Sequence, residues 1–208
     1  MPVAAPVPWP QWLVDSFALA NQPQFATDKT AHYGPYNRLL YHLFGLEGPF
    51  ESTPQHPVSQ TPGDTTYVVM QFTVEFNNHP LLSIKVKPPA SFAFESKRKQ
   101  ADDWMCDYFR DLCHNLVTPR LTSISAFCIR LAFYEYVAAT NTLAPPAIAA
   151  DPVSLNDMAS ADRWNDDLFA ASGLSRICPG CQRYVRGSRS EGLKLVSIFL
   201  LWIHSIVP

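Results

Sequence analysis

Hydrophobic positions in the middle of the chain switch between a two-residue and a helical period. From Tyr67 to Phe76, Val68, Met70, Phe72 and Val74 alternate in part with Tyr67, Gln71, Thr73 and Glu75, and the β-forming composition predicts a strand. Asn77-Asn78-His79-Pro80 is a turn signal, Leu81–Val86 a second strand, and the two together an antiparallel hairpin closed off by Pro88-Pro89. Over Ser96–Val117 the period changes. Trp104, Met105, Tyr108, Phe109, Leu112, Cys113 and Leu116 fall on one broad face of a helix. Leu121–Tyr136 alternates again, as one bent strand or two short ones. Upstream, Tyr36, Leu39, Leu40 and Leu43 make the i, i+3, i+4, i+7 stripe of a helix over Tyr33–Phe44, stopped by Gly45 and Gly48-Pro49.

These elements predict one α/β domain over 33–170, a small mixed β-sheet flanked by helices. Residues 1–32 read as an irregular, Pro-rich arm, because Pro2, Pro6, Pro8, Pro10 and Pro23 interrupt regular helix. Within it 11–20 could form a short helix, and Trp9, Trp12, Leu13 and Phe17 could pin the segment to the domain. The Pro-containing stretches 49–63 and 137–165 read as loops, and Arg163–Gly173 as a short helix. Residues 171–208 read as an irregular tail with an apolar end. Leu195–Val207 is almost wholly apolar, but its thirteen residues fall short of the roughly 20 that a membrane-spanning helix needs.

Composition narrows the class. The chain has 208 residues, 47% hydrophobic, enough for one domain with a core. A net charge of −2 gives no global attraction to nucleic acid or anionic membrane, so any such binding has to be local. Nineteen prolines predict long irregular connections. Five unevenly placed cysteines do not suit a disulfide framework, and Met1–Pro10 lacks the basic and apolar regions of a secretory signal. The expectation is an intracellular protein, cytoplasmic or nuclear.

The candidate chemistry lies at the end of the second strand, Lys85-Val86-Lys87. Residues two apart on a strand share a face. A carboxylate in the first position would help hold a divalent ion that activates water at a phosphodiester, and a lysine in the second would stabilise the developing charge. The stretches Gly34-Pro35-Tyr36-Asn37-Arg38-Leu39-Leu40, Leu81–Pro89, Ser96–Leu112 and Ser125-Ala126-Phe127, with Arg130-Leu131 and Phe133-Tyr134, are arranged around it. On these, residues 33–136 resemble the PD-(D/E)XK, or restriction-endonuclease-like, family, and are most similar to a group of proteins predicted from mushroom-forming fungi. The resemblance implies a restriction-endonuclease-like sheet and, if the site is active, a nuclease dependent on Mg²⁺ or Mn²⁺. Lys87 would be its catalytic charge stabiliser, and Asp64, the nearest carboxylate, and Glu75, at the far end of the strand, its candidate metal ligands.

The departures matter as much. The family pattern would read acid-x-Lys-Pro-Pro, whereas this chain has Lys85 at the acid position, which would repel a divalent ion. A glutamine that often follows in the family helix would fall near Trp104, and here Gln100 lies one turn earlier. Lys85, Lys87, Lys97, Arg98 and Lys99 are five of sixteen basic residues, gathered within fifteen positions. They form either a nucleic-acid-binding patch or a solvated charge run neutralised by Glu95, Asp102 and Asp103. Cys178-Pro179-Gly180-Cys181 has the spacing of half a zinc site, and ordinary loop thiols are the alternative. The sequence thus leads to a catalytically impaired nuclease-like protein that binds DNA or RNA, or alternatively a non-catalytic protein–protein interaction module on the same scaffold.

Overall fold

The computed structural model describes residues 9–45, 49–55, 70–113, 116, 118–149, 153, 158–170, 173, 176 and 177. Helices α1 (Gln11–Ala20) and α2 (Tyr33–Phe44) lead into strands β1 (Phe50–Gln55), β2 (Met70–Phe76) and β3 (His79–Lys87). Helix α3 (Glu95–Leu112) follows, then β4 (Arg120–Phe127), β5 (Arg130–Val137), β6 (Thr142–Ala144) and the two-residue β7 (Asp166–Asp167). The strands form one mixed sheet in the order β1-β2-β3-β4-β5-β6, with β7 also on β5. All pairings are antiparallel except β3–β4, which is parallel, with α3 in the connection between its two strands. This is the expected small α/β fold, a mixed sheet flanked by helices.

Alternation along the central strand sets the two layers. Leu82, Ile84 and Val86 of β3 join Phe72, Val74, Ile124, Ala126, Leu131 and Phe133 on one face of the sheet, packed with Leu13 and Phe17 of α1 and Tyr36, Leu39 and Leu40 of α2. The opposite face is apolar only toward β4 and β5, where Leu121, Phe127, Ala132, Tyr134 and Tyr136 pack with Ala101, Met105 and Phe109 of α3 and with Trp164. Toward β2 and β3 that face carries buried Gln71, Thr73 and Ser83. Its polar groups find partners. The Ser83 and Ser123 hydroxyls lie 2.7 Å apart, and Trp164 Nε1 donates to Ser125 Oγ at 3.2 Å.

A buried carboxylate locks α3 in place. Asp102 is fully buried and accepts from the Tyr134 hydroxyl at 2.8 Å, from the Ile148 backbone N–H at 2.7 Å and from Arg163. A buried charge is tolerable only when it is paired and hydrogen-bonded in this way. On the other face, the Tyr36 hydroxyl donates to the Cys128 carbonyl at 2.6 Å. That contact ties α2 to the tight β4–β5 turn, where Cys128 takes a left-handed φ of 56°.

Several expectations are corrected. Residues 9–32 are not a loose arm: the helix expected over 11–20 forms as α1, and of the residues expected to pin it Leu13 and Phe17 are 0% and 1% exposed and Trp9 Nε1 donates to the Leu168 carbonyl at 3.0 Å. Pro10 sits at the N-cap of α1, where a missing backbone N–H breaks no helical hydrogen bond, so the helix begins where the prolines stop. Residues 50–55 form a strand despite Pro54, because β1 is the edge strand among the described residues and pairs there with β2 alone. The 77–80 turn is tighter than expected. Asn77 and Asn78 both have positive φ, the two-residue hairpin geometry that asparagine tolerates, and β3 starts at His79. Helix α3 stops at Leu112 rather than 117. The helix expected over 163–173 is instead a short 3₁₀ turn at Ala161–Trp164 followed by β7. Residues 178–208 lie outside the described residues, and with them Cys178, Cys181 and the apolar end. No helix among the described residues is long and apolar enough to cross a membrane.

If α1 belongs to the core, Phe17→Ala should destabilise the protein by about 3–5 kcal/mol, the usual penalty for emptying a buried aromatic site. Urea denaturation checks this. A loss of ~0.5 kcal/mol, typical of a surface change, would return α1 to the status of an arm.

Candidate functional site

The site is built where β3 runs out beneath the first turns of α3. Lys85 and Lys87 lie on the same face as Ser83, so both side chains enter the layer between sheet and helix. There α3 presents Gln100, Trp104 and Tyr108, spaced four apart and therefore stacked in one row. The Lys85 ammonium lies 4.6 Å from the Tyr108 ring centroid and 5.8 Å from that of Trp104, and the Lys87 ammonium lies 4.7 Å from the Trp104 centroid. Lys85 Nζ donates to the Trp104 carbonyl at 3.3 Å and Lys87 Nζ to Gln100 Oε1 at 3.2 Å. Aromatic faces and neutral oxygens, rather than carboxylates, receive these cations.

That arrangement makes both amines weak bases. Burial lowers Lys85 from its ordinary 10.5 to about 8, although Asp107 and Asp111 oppose the shift. Lys87 falls to about 7, chiefly through burial and then through the neighbouring charges of Lys97, Lys85 and Lys29, with Asp103 opposing. A cavity of about 320 Å³ opens over Lys87, between α3 and the segment that precedes α2. Lys29 and Lys97 stand on its wall beside Thr27, Thr30 and Ser91, and Asp28 is its one carboxylate among the described residues. Asp28 accepts from both the backbone N–H and the hydroxyl of Thr30, at 2.7 and 2.6 Å, and these bonds hold its carboxyl below the usual range.

The predicted basic residues divide. Lys85, Lys87 and Lys97 converge, but Arg98 and Lys99 do not join them, since successive helical residues point about 100° apart. Arg98, only 7% exposed, donates to the Ala159 and Phe92 carbonyls at 2.8 and 2.6 Å and lies 3.7 Å from Glu95. Lys99 is buried and paired with Asp103 at 2.5 Å. Both brace α3. Glu75 pairs with Pro80 near the hairpin end of the sheet, seven positions and about 23 Å of extended strand from Lys87, so the structure does not bring it to the site. Asp64 lies outside the described residues.

A divalent ion does not fit the described residues around Lys87. The position that would supply a carboxylate holds the Lys85 ammonium, and Gln71 faces it across β2–β3. No group of three or more His, Cys, Asp or Glu among the described residues could hold a metal ion. Sequence reasoning missed Asp28 and Lys29, which lie in a segment read as an arm, and the aromatic cover over the lysines. The four-residue spacing of Gln100, Trp104 and Tyr108 was the available signal. Compared with known proteins, the chain shows no significant match to any family model, curated protein or solved structure.

The two lowered amines give a signed pH dependence. A lysine whose folded pKa lies below its unfolded value of 10.5 binds fewer protons when folded, so folding stability rises with pH between the two values. The destabilisation is fully present below about pH 7 for Lys87 and about pH 8 for Lys85, and is gone above 10.5. Lys87→Met should therefore stabilise the protein more at pH 6.5 than at pH 10, as read by denaturation at both pH values. An equal effect at the two would show that Lys87 has an ordinary pKa.

Proposed function

We propose that the protein binds a phosphodiester of DNA or RNA at the Lys87 cavity, on a scaffold of the PD-(D/E)XK type whose hydrolytic centre has been lost. The observation that carries this reading is the convergence of Lys29, Lys87 and Lys97 on one cavity, with Lys85 close enough to Lys87 to repel it, while Asp28, the one carboxylate among the described lining residues, is engaged by Thr30. Mutual repulsion among these ammonium groups is relieved by an anion, and release of counterions from a nucleic-acid backbone adds to the gain. The order of elements agrees with the resemblance: a helix, a three-strand antiparallel meander, a helix, and a strand parallel to the third. Lys87 closes that third strand, where the family has its lysine. Lys85 replaces the carboxylate that would hold Mg²⁺ or Mn²⁺, so binding is separated from cleavage.

The expected behaviour is binding of labelled DNA or RNA that is insensitive to EDTA and weakened by salt. Fluorescence anisotropy with single- and double-stranded oligonucleotides checks it. The double variant Lys87→Ala/Lys97→Ala should bind at least ~10-fold more weakly and lower the salt slope by about one unit for each phosphate contact removed. Binding unchanged in that variant, or absent with every oligonucleotide, would contradict the reading and leave the scaffold as a protein-interaction module. Mn²⁺-dependent cleavage by the native protein, abolished by Asp64→Ala, would contradict the loss of catalysis.

A further inference from the structure

We infer that Lys87 is a nucleophilic amine that forms an imine with an aldehyde carrying a phosphate group. The phosphate half of this inference rests on the anion site proposed above; the amine half stands on the geometry around Nζ.

The charged and titratable groups facing Nζ are Lys85 from its own strand, Lys97 and Asp103 from α3, and Lys29 and Asp28 from the segment before α2. The two carboxylates are turned to other partners, Asp103 to Lys99 at 2.5 Å and Asp28 to Thr30. Nζ itself has a neutral acceptor, Gln100 Oε1 at 3.2 Å, and lies against the Trp104 ring. It also borders the cavity, whose 320 Å³ suits a small molecule or a single extruded nucleotide residue. A desolvated lysine beside other cations is the arrangement that activates an amine toward carbonyl groups. With its pKa lowered to about 7, a substantial fraction of the amine is neutral at neutral pH. Lys29 and Lys97 line the same cavity and can bind a phosphate beside the amine. Lys87 is thus available for a different task.

The reaction balances without an oxidant or reductant. The neutral Nζ lone pair attacks the carbonyl carbon, a C–N bond forms, and the carbonyl oxygen takes up a proton to give a carbinolamine. Nitrogen gives up its extra proton, a second proton goes to the hydroxyl as the C–O bond breaks and water leaves, and the resulting iminium loses its N–H proton, so that amine and aldehyde become imine and water. Lys29 and Lys97 would hold the phosphate, and Gln100 Oε1 would accept an N–H of the carbinolamine.

The test is borohydride trapping on the full-length protein, followed by peptide mass spectrometry. The probes are pyridoxal 5′-phosphate, pyridoxal, and an oligonucleotide bearing an abasic site, whose ring-opened sugar is an aldehyde between phosphates. Pyridoxal phosphate should modify Lys87 at least ten times faster than any other lysine, with a half-maximal rate near pH 7, and Lys87→Arg should remove this labelling while retaining the native circular dichroism. Trapping of the abasic oligonucleotide at Lys87 would place the natural aldehyde on nucleic acid; trapping of pyridoxal phosphate alone would place it on a small molecule. Modification spread over exposed lysines with Lys87 untouched would overturn the inference, whatever the oligonucleotide-binding assay shows. Labelling of Lys87 by pyridoxal as fast as by its phosphate would overturn the phosphate half, and the anion reading with it. The pH dependence is read on the native protein, so the result does not depend on a variant folding.

Discussion

Two ammonium groups, on Lys85 and Lys87, are held beneath a helix with no carboxylate among the described residues contacting either, and much of the structure follows from seating them. Desolvating an unpaired charge is expensive. The protein meets that cost in three ways: aromatic faces of Trp104 and Tyr108 over the cations, neutral oxygens of Gln100 and the Trp104 backbone as acceptors, and a shift of both amines toward their uncharged forms. Cation–aromatic contacts of this kind contribute about 0.5–2 kcal/mol each. They soften the penalty without cancelling it, which is why an anion or a reacting carbonyl has something to gain here.

Such a site needs rigid walls, and the surrounding residues supply them. The apolar face of β3 is buried against α1 and α2, so the strand cannot slip by one residue without turning Leu82, Ile84 and Val86 toward the polar layer and the lysines into the core. On the other side, Asp102 fastens α3 to β5 through Tyr134 and to the later segments through Ile148 and Arg163. Arg98 adds its bonds to Phe92 and Ala159. Charged residues that read in sequence as a surface run therefore act as the fasteners that keep Gln100 and Trp104 over Lys87.

What the sequence disclosed, and what it hid, follows from the range of the interactions. The α2 stripe, the hairpin over β2 and β3 and the long α3 are local patterns, and all three are legible in the periodicity. The pairing of β3 with β4 in parallel is not, because strand neighbours across a helix are fixed by the whole sheet. Prolines misled in one direction, toward irregular chain. Pro10 precedes a core helix, and Pro54 lies in an edge strand, since proline forbids only what its missing N–H and fixed φ forbid. At the site, Lys85 and Lys87 were legible from their two-residue spacing. The division of Lys97 from Arg98 and Lys99 needed the helix orientation. Asp28 and Lys29 reach the cavity only through tertiary packing, whereas Glu75 sits on β2 beside the turn, at the end of the hairpin away from Lys87, as its position in the sequence indicates.

The central claim is that Lys87 is a neutralisable amine and not an ordinary surface lysine. The direct measurement is an NMR titration of the lysine side chains, with ¹³Cε or ¹⁵Nζ labels and Lys87→Arg to assign the resonance. The account predicts a Lys87 midpoint near 7, against the ordinary 10.5, that moves upward when inorganic phosphate is added. A midpoint at the ordinary value, indifferent to phosphate, would contradict it.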